Sequence, residues 1–134
     1  MSGPLLTDRQ KLVIQYRKEG RTQQEIADEL DTSRSNISLI EKSANENIRL
    51  ARDALAYLYS LDATQVCTLS AGSELANEVF VIYKAANQLN IKIQYDPGAL
   101  LNRVMTAVSE KISGKIIKED IRVYLNNTGI IYIC

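Results

Sequence analysis

Arg34, Ser35, Asn36, Ser38 and Lys42 fall within one short run, broken only by Ile37, Leu39, Ile40 and Glu41. Arginine presents a fork that matches the paired acceptors of guanine, asparagine matches adenine, and serine donates or accepts at several bases. Lysine more often meets phosphate, which orients a protein without reading sequence. That chemistry points to the edges and backbone of double-stranded DNA, with Arg34 as the best residue for base readout and Lys42 as a backbone contact. A second group, Arg21, Thr22, Gln23 and Gln24, stands where a helix should start. Its free N–H groups and partial positive charge could receive a phosphate. Ser33 completes the set of candidate DNA-binding residues.

Such groups read a duplex only if a rigid scaffold presents them together. The stretch TQQEIADELDTSRSNISLIEK, Thr22 to Lys42, supplies one. Ile26, Leu30, Ile37 and Ile40 have the spacing that holds two crossing helices together, and Ala27 is small enough to let them approach closely. Asp31-Thr32-Ser33 makes the turn, and Thr32 or Ser33 can cap the second helix. An earlier helix begins at Thr7, where Thr-Asp-Arg-Gln is a capping box, and stops at Gly20. Leu12, Val13 and Tyr16 form its apolar face. Thr22 and Glu25 repeat the capping box. The recognition helix is predicted from Arg34 to about Lys42. Ser43-Ala44-Asn45-Glu46 then predicts a new helix running to about Leu61. Its stripe of Ile48, Ala51, Leu55 and Leu58 is expected to pack on the first helix, with some dimer contact near Leu55 to Leu61. Two heads about one DNA turn apart, roughly 34 Å, would match a half-site repeat.

Beyond Asp62 the periodicity changes. Gln65 to Leu69 reads as a strand, Ser73 as the cap of an amphipathic helix bearing Leu75, Val79, Ile82, Tyr83, Ala86 and Leu89, and Ile91 to Tyr95 as a second strand. Asp96-Pro97-Gly98 starts another helix, whose buried face runs from Leu100 to Ile112. Ile121 to Leu125 and Ile130 to Ile133 flank Asn126-Asn127-Thr128-Gly129, a hairpin signal. The fold class is therefore α+β: an all-helical helix-turn-helix headpiece with its connecting helix, residues 1–61, then a small α/β domain ordered strand, helix, strand, helix, hairpin, residues 62–134. Both of its helices are expected on one face of the sheet.

Sixteen basic and sixteen acidic residues cancel in 134. Any positive surface must come from arrangement, because no half of the chain is an electrostatic tail. That neutrality leaves open a protein-interaction module of the transcription machinery. Cys67 and Cys134 lack metal-ligand spacing and there is no histidine, so free thiols in a reducing cytosol, no metal and no cofactor are expected. No run approaches the roughly 18 apolar residues of a membrane span, and the first residues carry no cleavage pattern. The expected setting is the cytoplasm. Lys118-Glu119-Asp120 is the one tight acid and base cluster that a metal-dependent nuclease could use. No phosphate loop or catalytic triad accompanies it, so no catalytic residue and no enzyme activity are expected.

From Leu6 to Leu55, LTDRQKLVIQYRKEGRTQQEIADELDTSRSNISLIEKSANENIRLARDAL resembles the archaeal Tfx-type DNA-binding transcription regulators. The resemblance implies a headpiece similar to sigma-factor region four and a C-terminal domain used in regulation or activation. It transfers promoter-type DNA binding onto Thr22 to Lys42 and no particular operon. A small-molecule effector of the C-terminal domain is a further expectation. It rests on the first two strands being parallel, which would bring the turns at Ser70 to Ser73 and Asp96 to Gly98 to one sheet edge.

Overall fold

The computed structural model describes residues 3–134. The chain divides into two compact units, one ending at Arg52 and the other Asp53–Cys134.

The first unit is helical. α1 (Asp8–Lys18) and α2 (Gln23–Glu29) both open on the predicted capping boxes, Thr7 with Gln10 and Thr22 with Glu25. α1 ends where Gly20 turns left-handed at φ 90°. The Arg21 amide reaches back to the Tyr16 carbonyl at 3.1 Å and Gly20 to Arg17 at 3.0 Å, the paired bonds of a Schellman ending. α2 ends the same way, with Asp31 at φ 53° and the Thr32 amide on the Ala27 carbonyl at 2.9 Å. Val13, Ile26, Ala27 and Ile37 are fully buried together, with Tyr16, Leu30 and Ile40 packed around them. The four aliphatic residues expected to clamp the two helices therefore share one core.

The break expected at Ser43 does not occur. α3 runs unbroken from Arg34 to Asp62. No glycine or proline interrupts those residues, and extending a helix costs far less than nucleating a new one. The signature residues serve other ends: Ser43 accepts a bond from the Gln10 amide at 3.2 Å, and Glu46 pairs with Arg49 at 2.6 Å. The stripe predicted on the connecting helix also divides. Leu55 packs in the second unit, beside Ala56, Tyr59 and Ala63, while Leu58 stays 54% exposed.

In the second unit β1 (Thr64–Leu69), β4 (Ile121–Leu125) and β5 (Ile131–Ile133) form an antiparallel sheet in the order β1-β4-β5. Strand alternation turns Ile121, Val123, Leu125, Ile131 and Ile133 to one face, where α4 (Leu75–Gln88) and α5 (Pro97–Ala107) bury Leu75, Val79, Ile82, Leu100 and Val104 against them. Both helices thus lie on one side, as the sequence suggests. The opposite face holds Tyr124, Tyr132 and Cys134, covered by Leu55, Ala56, Tyr59 and Ala63 of α3. Tyr59 stacks on Tyr132 with centroids 5.2 Å apart, and Arg122 pairs with Asp53 at 3.2 Å.

Three local expectations are corrected. Ile91 to Tyr95 forms no strand and joins no sheet, and the chain bends at Gln94 and Tyr95. Its alternation serves to insert Ile93 into the core with Ile91 and Tyr95 beside it, and Gln94 binds the hairpin turn through Gly129 and Thr128. The Ile131 carbonyl on the outer side of β5 accepts from Arg103 at 3.1 Å. With no parallel pair in the sheet, the two turns share no carboxyl edge, and no effector site is assigned there. Ser73 does not cap α4. Glu74 is the cap residue, without a side-chain bond, because the Lys115 carbonyl takes the Leu75 amide at 2.9 Å. Finally, the helix expected to reach Ile112 ends at Ala107, and a 3-10 turn (Ser109–Lys111) and the short hairpin of β2 (Ile112–Ser113) and β3 (Ile116–Ile117) follow. The Lys111 ammonium there donates to the Asp120 and Cys134 carbonyls, both at 2.9 Å.

Candidate nucleic-acid interface

The reading face is built at the start of α3. The Ser33 hydroxyl accepts the Asn36 amide at 3.1 Å, which settles the cap in favour of Ser33. Thr32 instead accepts from the Asn36 side chain at 2.9 Å. A helix advances about 100° per residue, so Ser35 lies opposite the buried Ala44 and Ile37. From that outward direction Lys42 departs by about 20° and Ser38 by about 60°, while Arg34 and Asn36 stand on opposite flanks at about 100°. Arg34, Ser35, Ser38 and Lys42 are exposed, and no intramolecular polar partner holds them among the described residues. They form one solvent-facing strip. Arg34 and Lys42 bracket it, about 12 Å apart along the helix axis at 1.5 Å per residue, close to the width of a major groove at ~12 Å. Asn36 belongs less well, because its amide is already engaged with Thr32.

The group before α2 is differently placed. Thr22 is absorbed in its capping box, its hydroxyl accepting from the Glu25 amide and its own amide donating to the Glu25 carboxylate, each at 3.1 Å. Those bonds hold the Glu25 carboxyl below the usual carboxylate range. A negative charge thus already stands where a phosphate was expected. Gln24 donates to Asp28 at 2.9 Å. The Arg21 guanidinium lies 4.1 Å over the Tyr16 ring and 3.5 Å from Glu19.

Gln23 leads to a residue that sequence reasoning missed. Its amide donates to one oxygen of Glu41 at 3.2 Å, and Arg17 of α1 meets the other at 2.7 Å. Arg17 also donates to the Arg21 carbonyl at 2.9 Å. A single carboxylate on α3 therefore ties down both earlier helices and the loop between them. The only signal in the sequence was an acid inside an otherwise basic and hydroxylic run. Lys118-Glu119-Asp120, the cluster considered for metal chemistry, is a turn whose Asp120 carboxylate accepts the Ala71 amide at 2.8 Å. No cluster of metal-ligating side chains occurs among the described residues, and no described helix is long and apolar enough to cross a membrane.

Residues 51–133 match the family described as DNA-binding protein, TFX, C-terminal, and residues 5–50 match Sigma-70, region 4. The chain belongs to the Tfx family. Among its relatives, a putative transcriptional regulatory protein of Methanocaldococcus jannaschii is 34% identical over 92% of this chain and 90% of that one. The DNA-binding protein Tfx of Methanothermobacter thermautotrophicus is 31% identical over the same shares. A putative transcriptional regulatory protein of Haloarcula marismortui is 30% identical over 96% of this chain and 81% of its own length. The Sigma-70 region 4 match and the Tfx C-terminal match meet at residues 50 and 51, inside α3.

Proposed function

We propose that this Tfx family chain is a sequence-specific DNA-binding transcription regulator that lays the first turns of α3 in the major groove. The observation that carries the reading is the exposed strip of Arg34, Ser35, Ser38 and Lys42 on a helix whose other side is locked by Ile26, Ala27 and Ile37. A fixed helix presenting donors without internal partners loses little conformational freedom when it meets base edges. Ser33, Asn36, Arg21, Thr22, Gln23 and Gln24 are proposed as flanking contacts, mainly to the backbone. The family relatives named as DNA-binding or transcriptional regulatory proteins support the same reading.

The proposal extends to a homodimer acting in the cytoplasm without catalysis. Residues 1–61 form its DNA-binding part, and residues 62–134 serve regulation or oligomerisation. Leu58 and Leu61, near the expected dimer contact, are 54% and 65% exposed. A balanced charge of sixteen against sixteen favours one alternative, a module that docks on another protein of the transcription machinery. Titration of labelled random duplex between 50 and 200 mM salt separates them. A DNA binder loses affinity steeply with salt as counterions are released, and a protein-docking module does not bind the duplex in this way. Selection of bound fragments from a random pool then supplies the preferred site.

A further inference from the structure

Leu39 is 67% exposed, at the edge of the reading strip beside Ser35. It lies about 40° from the outward direction marked by Ser35, next to Ser38, one turn beyond Ser35 and one turn before Lys42. The core of the first unit does not use it, since Val13, Ile26, Ala27 and Ile37 fill that core with Tyr16, Leu30 and Ile40 around them. A large aliphatic side chain standing in water on a polar helix face gains from any apolar surface that covers it. Cations at both ends of the strip, Arg34 and Lys42, and hydroxyls beside it suit a polyanion with one apolar feature on its floor. Among base edges in the major groove only thymine, through its 5-methyl group, offers such a feature.

From this we infer that Leu39 is a specificity-determining residue that packs on a thymine methyl in the bound duplex. The inference rests on the DNA-binding reading above and deepens it: the selected site contains a thymine opposite the second turn of α3, and uracil there is a poorer base. Burying one methyl group corresponds to about a fourfold change in affinity.

The test replaces each thymine of the selected duplex with deoxyuridine in turn and measures binding to the parent, Leu39→Ala and Leu39→Met. The expected result is one position at which uracil weakens the parent about fourfold. Leu39→Met should keep that preference, and Leu39→Ala should bind more weakly and treat the two bases alike. Because the residue is exposed, all three proteins should unfold at the same temperature, which a circular dichroism melt checks on the same samples. The inference is overturned if no thymine shows the effect, or if Leu39→Ala retains it. It is equally overturned if Leu39→Ala changes only self-association in sedimentation, since the side chain would then cover a second copy. Failure of the parent to bind any duplex would instead remove the DNA-binding reading itself, a separate outcome.

Discussion

Replacing Glu41 with glutamine probes how the reading helix is held. The carboxylate meets Arg17 at 2.7 Å with the two side chains 20% and 44% exposed, and it accepts from Gln23 at 3.2 Å. Exposed ion pairs contribute about 0.2–1 kcal/mol, and a hydrogen bond to a charged group, as from Gln23, contributes about 1.5–3 kcal/mol. Solvent screening of Arg17 keeps the total near the low end, so Glu41→Gln should cost about 1–2 kcal/mol. In a chain of this length that lowers Tm on the order of 5 °C. Loss of a negative charge from the flank of the strip acts in the opposite direction on phosphates. Binding to random duplex should therefore stay level or strengthen, while preference for the selected site over random sequence falls. Urea unfolding with paired titrations of the two duplexes measures all three quantities. Unchanged stability with equal gains on both duplexes would refute the clamp and leave Glu41 as a mere surface charge.

Other perturbations have expected outcomes of different sizes. Gly129 sits at φ 87°, and a Cβ there would fall 2.0 Å from the Lys92 carbonyl oxygen; Gly129→Ala should cost on the order of 4 kcal/mol in urea unfolding, because backbone must move and the Gln94 bonds to this turn are lost. Asp31 holds a left-handed φ of 53° at the end of α2, so Asp31→Gly should stabilise the headpiece by about 0.5–1 kcal/mol, read as a raised Tm. Arg34→Ala should leave stability unchanged, weaken the selected site by about 1–3 kcal/mol and relax one base position, whereas Lys42→Ala should weaken all duplexes alike in parallel titrations. Burial raises the Cys67 thiol to about 11, so its thiolate is scarce at neutral pH. Alkylation by iodoacetamide at pH 8 should run about a hundredfold slower than that of a free thiol and accelerate as pH climbs through the raised value, which peptide mass spectrometry follows.

The headpiece was legible because its determinants are local. Two capping boxes, a left-handed Gly20 and four aliphatic residues at fixed spacing each constrain their immediate neighbours, and all appear in the fold. The continuity of α3 was hidden because Ser43 and Glu46 look like a helix start, while their actual partners, Gln10 and Arg49, depend on packing or on a turn already formed. Ile91 to Tyr95 misled for a related reason. Alternation reports that a segment is half-buried, but pairing also needs an extended backbone and a free edge. Here the segment meets the turn at Gly129, and Arg103 takes a carbonyl on the outer side of β5. Within the candidate site, Arg34, Ser35, Ser38 and Lys42 could be assigned to one strip from periodicity alone. The engagement of Gln23 by Glu41 and of Asn36 by Thr32 could not, because those bonds depend on how helices and turn come together.

Methylation interference on the selected duplex shows whether α3 enters the major groove, because a methyl group on guanine N7 obstructs that groove alone. Docking of α3 in that groove predicts that modified guanines within one groove face abolish binding of the parent, and that Arg34→Ala becomes indifferent to one of them. Binding that tolerates every N7 methyl group and holds constant from 50 to 200 mM salt would contradict it.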